Sequence, residues 1–254
     1  MDADCVTYAR DGDVALIHLD RPERLNAVVP ALVDGLLAAF GAASADGVGA
    51  VVLAGRGRAF CAGYDLKEPE PRDGLDAARS RVERIQDVTR LMRAFPGAVV
   101  AAVHGYALGA GAEFAFGCDL VVATRDAQFG FPEVGVGLSV TGAISRLLPL
   151  TVGPARAKEL LLLGKRFGAE TAREWGLVNR VVPVGEHETV ALDLARIAAA
   201  RPRIALGLAK SALDAGIDAT VEGAMLREVD DALRTLAEDE SDAAASAFRA
   251  GRDG

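Results

Sequence analysis

Cysteine and histidine are scarce in this chain, with three of each in 254 residues. Cys5, Cys61 and Cys118 are odd in number and share no paired spacing, which argues for reduced thiols in a cytoplasmic setting. His18, His104 and His187 are scattered along the sequence, and neither HExxH nor CxxC occurs, so no metal site is legible. The GxSxG turn is also missing, which removes a serine hydrolase of that architecture. Cys61 follows Phe60 in a glycine-flanked loop, but no histidine sits in a recognisable partner motif, so it reads as a small buried residue. No long apolar run is present: the most apolar segment, residues 98–112, is broken by His104 and several glycines and stops at Glu113, short of the roughly 20 residues that span a bilayer. The Met1-Asp2-Ala3-Asp4 start has neither a basic nor an apolar region, so no secretory signal is expected. Positive charge is in deficit, 28 Lys plus Arg against 36 Asp plus Glu for a net −8. That balance does not invite nucleic acid.

What the chain does have is apolar bulk, 51% by count, enough for a large core and too much for a disordered segment. Residues 6–10 and 14–20 flank Asp11-Gly12-Asp13 and read as a hairpin. Pro30 suits a first helical turn, and Leu32, Leu36, Leu37 and Phe40 recur at helical spacing to about Ser44. The continuous apolar run 50–54 reads as a strand covered on both faces. A glycine-bearing loop follows to Leu66, and then a charged stretch, residues 68–76 with Pro69 and Pro71, has the character of a surface excursion or lid. Helix resumes near Asp76 and stops at Phe95-Pro96-Gly97. Strands at 98–103 and 120–123, a helix over 109–117 between them and an extended piece at Gln128-Phe129 continue an α/β alternation to about residue 183. From His187 only helices are expected: 187–200, 202–215, 220–237 and about 241–250. The division is thus 1–186 for the α/β core and 187–254 for a helical region whose small-residue faces suit packing against another subunit.

Two acidic residues stand out against this background. Glu113 ends Gly105-Tyr106-Ala107-Leu108-Gly109-Ala110-Gly111-Ala112, and Glu133 ends Ala127-Gln128-Phe129-Gly130-Phe131-Pro132. A carboxylate taken from water is costly unless paired or hydrogen-bonded, so two in apolar settings point to a positioned general acid and base. The alternative places both on the surface, or has Glu113 open a helix where negative charge suits the dipole.

Taken in order, Arg21-Pro22-Glu23-Arg24-Leu25-Asn26-Ala27, Ala59-Phe60-Cys61-Ala62-Gly63-Tyr64-Asp65-Leu66, Val103-His104-Gly105 through Glu113, Cys118-Asp119, the segment ending at Glu133, and Gly176-Leu177-Val178-Asn179-Arg180-Val181-Val182-Pro183 resemble the enoyl-CoA hydratase/isomerase (crotonase) superfamily. The match covers nearly the whole chain. It implies a crotonase-like α/β spiral of ββα units with a C-terminal α-helical trimerisation region, assembled as a homotrimer or dimer of trimers. It also implies an acyl-CoA thioester substrate, with CoA carried by the substrate and no separate cofactor. No nucleic-acid or membrane partner is expected.

In a CoA thioester, removing an α-proton or adding a nucleophile at the β-carbon pushes charge onto the thioester oxygen. By family similarity the N–H groups of Tyr64 and Ala110 meet that charge, and the second gains from a helix N-terminus. Ala62, Gly63, Leu66, Tyr106 and Gly109 line the substrate side by the same resemblance. Family members that hydrate a 2-enoyl-CoA carry a glutamate at both positions occupied here by Glu113 and Glu133, whereas double-bond isomerases work with one. Hydration is therefore expected, with Glu113 activating water and Glu133 delivering the α-proton, and isomerisation is the alternative. Arg24 and Lys67 match positions that would hold CoA phosphates, with Arg56 and Arg58 as weaker candidates. Asp65 either joins that set or hydrogen-bonds the loop backbone. Two departures concern the acyl pocket: Val140-Thr141-Gly142-Ala143-Ile144-Ser145-Arg146-Leu147 replaces a proline- and glycine-rich segment, so that Ile144 is expected to narrow one wall, and Tyr64 is bulky where a small residue is common. A non-catalytic CoA- or RNA-binding relative is disfavoured by the two glutamates and the acidic balance. A nicotinamide oxidoreductase is disfavoured because the third glycine of GxGxxG is absent.

Overall fold

In the computed structural model, residues 5–68 and 73–237 are described. The chain opens with β1 (Val6–Asp11) and β2 (Val14–Leu19), paired antiparallel through a tight turn with Gly12 at φ 61. A left-handed backbone there is what favours glycine. Helix α1 (Pro30–Ala45) starts on its proline and is followed by β3 (Ala50–Gly55), α2 (Leu75–Ala94) and β4 (Ala98–Val103). Then come β5 (Tyr106–Leu108), α3 (Ala110–Gly117), β6 (Leu120–Thr124) and β7 (Gln128–Gly130). Two helices, α4 (Ile144–Val152) and α5 (Pro154–Leu163), precede β8 (Phe167–Gly168), α6 (Ala169–Glu174) and β9 (Arg180–Val182).

The main sheet runs β1-β2-β3-β4-β6-β9 and is parallel from β2 onward. Every residue of β3 and β4 is buried, because successive side chains alternate between two cores. Val51, Leu53, Val99 and Ala101 enter the larger one, while Val52, Ala54, Val100 and Ala102 enter the smaller. A second, three-stranded sheet runs β5-β7-β8. The loop after β3 joins it, since Cys61 N–H donates to Tyr106 O at 2.9 Å and Leu108 N–H donates to Cys61 O at 3.0 Å.

Helix α7 (His187–Ala199) packs across β3, β4 and β6 and buries Ala191 and Ala195 in the smaller core. Its first turn is pinned at the strand ends, with the His187 and His104 rings tilted against each other at 4.7 Å between centroids and His18 Nε2 lying 3.1 Å from Glu188 Oε2. The three histidines, scattered in sequence, therefore gather about the first turn of α7. Helix α7, the first of the expected helical region 187–254, thus packs on the sheet, and α8 (Arg203–Gly216) and α9 (Val221–Leu236) follow it. Among their described residues none is buried, and Leu213, Val221, Leu226, Val229 and Leu233 are exposed. The helix expected over 241–250 lies outside the described residues, as do residues 69–72 of the expected lid.

Asn26 stitches the loops that carry the site. It sits at φ 54, a conformation asparagine tolerates better than most residues. Its side-chain oxygen accepts from Arg21 N–H at 2.8 Å, while its amide nitrogen donates to the carbonyls of Arg56, Ala59 and Phe60 at 2.9, 2.8 and 3.2 Å. Truncation would strand several buried backbone groups, each costing about 1–3 kcal/mol when left unmade. Asn26→Ala is expected to lower stability by roughly 3 kcal/mol and Tm by roughly 6–12 °C. Calorimetry showing an unchanged Tm would remove Asn26 from this role.

Candidate active site

Glu113 lies in the first turn of α3 and is 1% exposed, which excludes surface placement. The helix follows directly from β5 through Gly109, whose φ 52 and ψ −124 are open to glycine and closed to other residues. Among the described residues the carboxylate is held by one neighbour: Thr141 N–H donates to Glu113 Oε1 at 2.6 Å, and the Thr141 hydroxyl bonds Oε2. Gly142, at φ 58, lets this segment close on the glutamate, because a Cβ there would stand 2.9 Å from Glu113 Cβ. Burial pushes the Glu113 carboxyl above its usual range, and the two Thr141 bonds work in the opposite direction.

Glu133 opens a short 3-10 turn (Glu133–Val136) just beyond β7 and is 7% exposed. One carboxylate oxygen faces Gly109, where a Cβ would lie 2.9 Å from Oε1. The other, Oε2, is buried with no hydrogen-bond partner among the described residues. Burial raises its pKa, its own backbone N–H lowers it, and the Glu113 charge raises it again, to about 7. Gly109 links the two acids, because its carbonyl accepts from Glu113 N–H at 3.0 Å and its N–H donates to Gly130 O at 2.9 Å at the end of β7.

Two glycines also approach each other closely. A Cβ on Gly63 would lie 3.6 Å from Gly109 Cα, and one on Gly109 would lie 3.8 Å from Gly63 Cα. Tyr64 and Ala110 follow these glycines directly. Val28 N–H donates to Gly63 O at 2.8 Å and Asp65 N–H donates to Val28 O at 3.0 Å, a bridge in which the N–H of Tyr64 itself is directed away from Val28. Ala110 is the first residue of α3, one of the positions whose N–H has no partner within its own helix.

Comparison with known proteins was decisive for the family. The family model described as enoyl-CoA hydratase/isomerase matches residues 9–253. The chain belongs to that family. A mitochondrial enoyl-CoA hydratase of Pongo abelii is 35% identical over 86% of this chain and 75% of its own length. A short-chain-enoyl-CoA hydratase of Clostridium acetobutylicum is 31% identical over 90% of this chain and 88% of its own. Among solved structures, an enoyl-CoA hydratase from Polaromonas sp. JS666 superposes with a TM-score of 0.93 at 30% identity, covering 97% of each chain. One from Mycobacterium smegmatis gives 0.90 at 32% identity, covering 97% of this chain and 96% of its own. The expected crotonase-type α/β fold is therefore the one observed.

Within this enoyl-CoA hydratase/isomerase chain the remaining candidates divide. Ala62, Gly63 and Asp65 form the loop facing Gly109, whereas Leu66 and Lys67 project outward as exposed residues. Asp65 is 4% exposed and is clamped by Arg21 at 3.1 Å and by Arg24 through Nε at 3.1 Å and a terminal nitrogen at 3.0 Å. Burial pushes the Asp65 carboxyl up, but the Lys67 backbone N–H and the two arginines outweigh this and hold it below the usual carboxylate range. Asp65 thus tethers the loop, and Arg24, half-buried, is partly committed to it. Tyr106 lies on the open side of β5, with the Arg166 guanidinium 5.2 Å from its ring centroid. Cys61 is fully buried, and burial pushes its thiol up to about 12, so it is not a nucleophile.

Ile144, expected to narrow one acyl wall, is buried. It is 1% exposed and lines a separate cavity of about 180 Å³ with Phe116, Leu148 and Leu177, away from both glutamates. A larger cavity of about 580 Å³ lies under α8 and is also lined by neither glutamate. Thr141 is the site residue that sequence reasoning passed over: its contact with Glu113 spans 28 positions and depends on a turn that no local motif announces.

Proposed function

We propose that this protein is an enoyl-CoA hydratase, a hydro-lyase that adds water across the 2,3 double bond of a 2-enoyl-CoA. The observation that carries the reading is the asymmetric pair of buried glutamates, one held by two hydrogen bonds and the other with an unpartnered oxygen. Glu113, the better stabilised anion, takes a proton from water as the oxygen attacks the β-carbon. Electron density moves to the thioester oxygen, where the N–H groups of Tyr64 and Ala110 are the donors. Each such donor supplies about 3 to 4 kcal/mol of transition-state stabilisation. Glu133, whose pKa of about 7 lets it carry a proton at neutral pH, protonates the α-carbon of the enolate. A proton returning from Glu113 to Glu133 resets the pair, so titration belongs to the two acids together.

CoA enters as part of the substrate and no further cofactor is needed. Arg24 and Lys67 are the cations proposed to meet its phosphates, and no helix among the described residues is long and apolar enough to cross a membrane. The exposed apolar residues of α8 and α9 support a homotrimer or dimer of trimers, and the reduced cysteines support a cytoplasmic setting.

The test is turnover of enoyl-CoAs that differ in length, branching and aromaticity, beginning with crotonyl-CoA, with products identified by mass. The expected product is heavier than its substrate by one water. A product of unchanged mass with a moved double bond would replace hydration by isomerisation, and binding without turnover across the panel would make the chain a non-catalytic relative.

A further inference from the structure

Both oxygens of Glu113 are bound by the same residue, and every polar group of that residue is committed. Thr141 gives its N–H to Oε1 and its hydroxyl to Oε2, while its carbonyl accepts from Ile144 N–H at 3.0 Å as α4 begins. Two successive left-handed residues, Gly142 at φ 58 and Ala143 at φ 57, turn the chain so that this grip is possible. Ala143 is exposed and pays a steric penalty for that conformation, which indicates that the turn is held by what it positions. A backbone N–H can only donate, so Oε1 is an acceptor in every state of the acid. A hydroxyl donates more strongly to an ionised carboxylate than to a neutral acid. Glu133 has the opposite environment, since its buried Oε2 has no such donor among the described residues.

We propose that Thr141 is a positioning residue whose side-chain hydroxyl keeps Glu113 ionised and in one orientation, so that Glu113 is the member of the pair that takes the proton from water and Glu133 the one that gives it. This rests on the hydratase reading. A small residue at position 141 would keep the N–H bond to Oε1 and lose the bond to Oε2, leaving the two acids closer to equivalent.

The experiment compares Thr141→Val, which keeps the shape and removes the hydroxyl, with Thr141→Ser, which restores the hydroxyl, using crotonyl-CoA or the panel enoyl-CoA turned over fastest. For Thr141→Val, kcat is expected to fall about tenfold with KM within about twofold, and the acid limb of the kcat/KM profile is expected to move to higher pH. Thr141→Ser is expected to track the unsubstituted protein. Identical profiles for the valine variant and the unsubstituted protein, or equal losses in the valine and serine variants, would overturn the assignment. Should circular dichroism show that the valine variant does not fold, carbon-13 titration of the glutamate carboxyls in the unsubstituted protein decides instead, with the Glu113 signal identified by its loss in Glu113→Gln. Glu113 ionising before Glu133 as pH rises supports the role, and the reverse order overturns it. If the unsubstituted protein does not hydrate any panel member, or if Glu113→Gln hydrates at the full rate, it is the hydratase reading that fails.

Discussion

Replacing Glu133 by glutamine is expected to lower kcat for hydration by about 100- to 10,000-fold, the range a positioned general acid supplies, and Glu113→Gln should fall in the same range. The double variant should lose little more than either single one, because groups that act as a unit are strongly non-additive. The proton on Glu133 also fixes the pH dependence. Its pKa in the folded protein is raised to about 7 from an ordinary 4.5, with burial the main cause. In the proposed mechanism protonated Glu133 is the donor, so the hydration rate should decline as pH rises through about 7. The same shift contributes stability that is fully present below the ordinary carboxylate value and is lost as pH rises through about 7. Tm should accordingly drop across that window in the unsubstituted protein, and the part due to this group should vanish in Glu133→Gln. Stopped-flow rates and calorimetry at matched pH values measure both effects. Full hydration activity in the two glutamine variants would remove the carboxylates from the mechanism.

The parts of this site that were legible in the sequence are those set by local rules. Gly12 marks the first hairpin because a tight turn needs its backbone freedom, and Glu113 and Glu133 stand out because each closes an apolar, glycine-rich stretch. The parts that were not legible depend on contacts between distant segments. Asp65 gives no local sign that two arginines 41 and 44 positions away will clamp it. Thr141 reaches Glu113 only because Gly142 and Ala143 are both left-handed, and alanine at the second position hides that turn. Ile144 follows the same turn into the core. Helices α4 and α5 are short, with Pro149 inside the first and Pro154 opening the second, so neither shows a sustained apolar period. Helix α7 was readable as a helix, but whether it belonged to a tail or to the sheet depended on the strand faces it covers.

Gly109→Ala is expected to damage both the reaction and the fold. Gly109 combines φ 52 with ψ −124, a region essentially closed to residues with a Cβ, at a cost of about 1–3 kcal/mol when forced. The methyl would lie 2.9 Å from Glu133 Oε1 and 3.8 Å from Gly63 Cα, so relief requires moving the acid, the facing loop or both. In the proposed mechanism each movement displaces a group that meets the substrate, since Ala110 and Tyr64 follow the two glycines directly. Misplacement by about 1 Å costs on the order of 100-fold in rate, and kcat should fall by at least that much together with a lower Tm. Gly41→Ala provides the control. Gly41 lies within α1, is exposed and has open space where a Cβ would point, so alanine there should add up to about 1 kcal/mol of stability through helix propensity and leave kcat unchanged. The contrast separates a loss of function caused by lost stability from one caused by lost geometry. If restoring stability with Gly41→Ala in the Gly109→Ala background returns Tm without returning kcat, the close approach of Gly63, Gly109 and Glu133 is required for the reaction itself. If kcat returns with Tm, Gly109 serves only the fold.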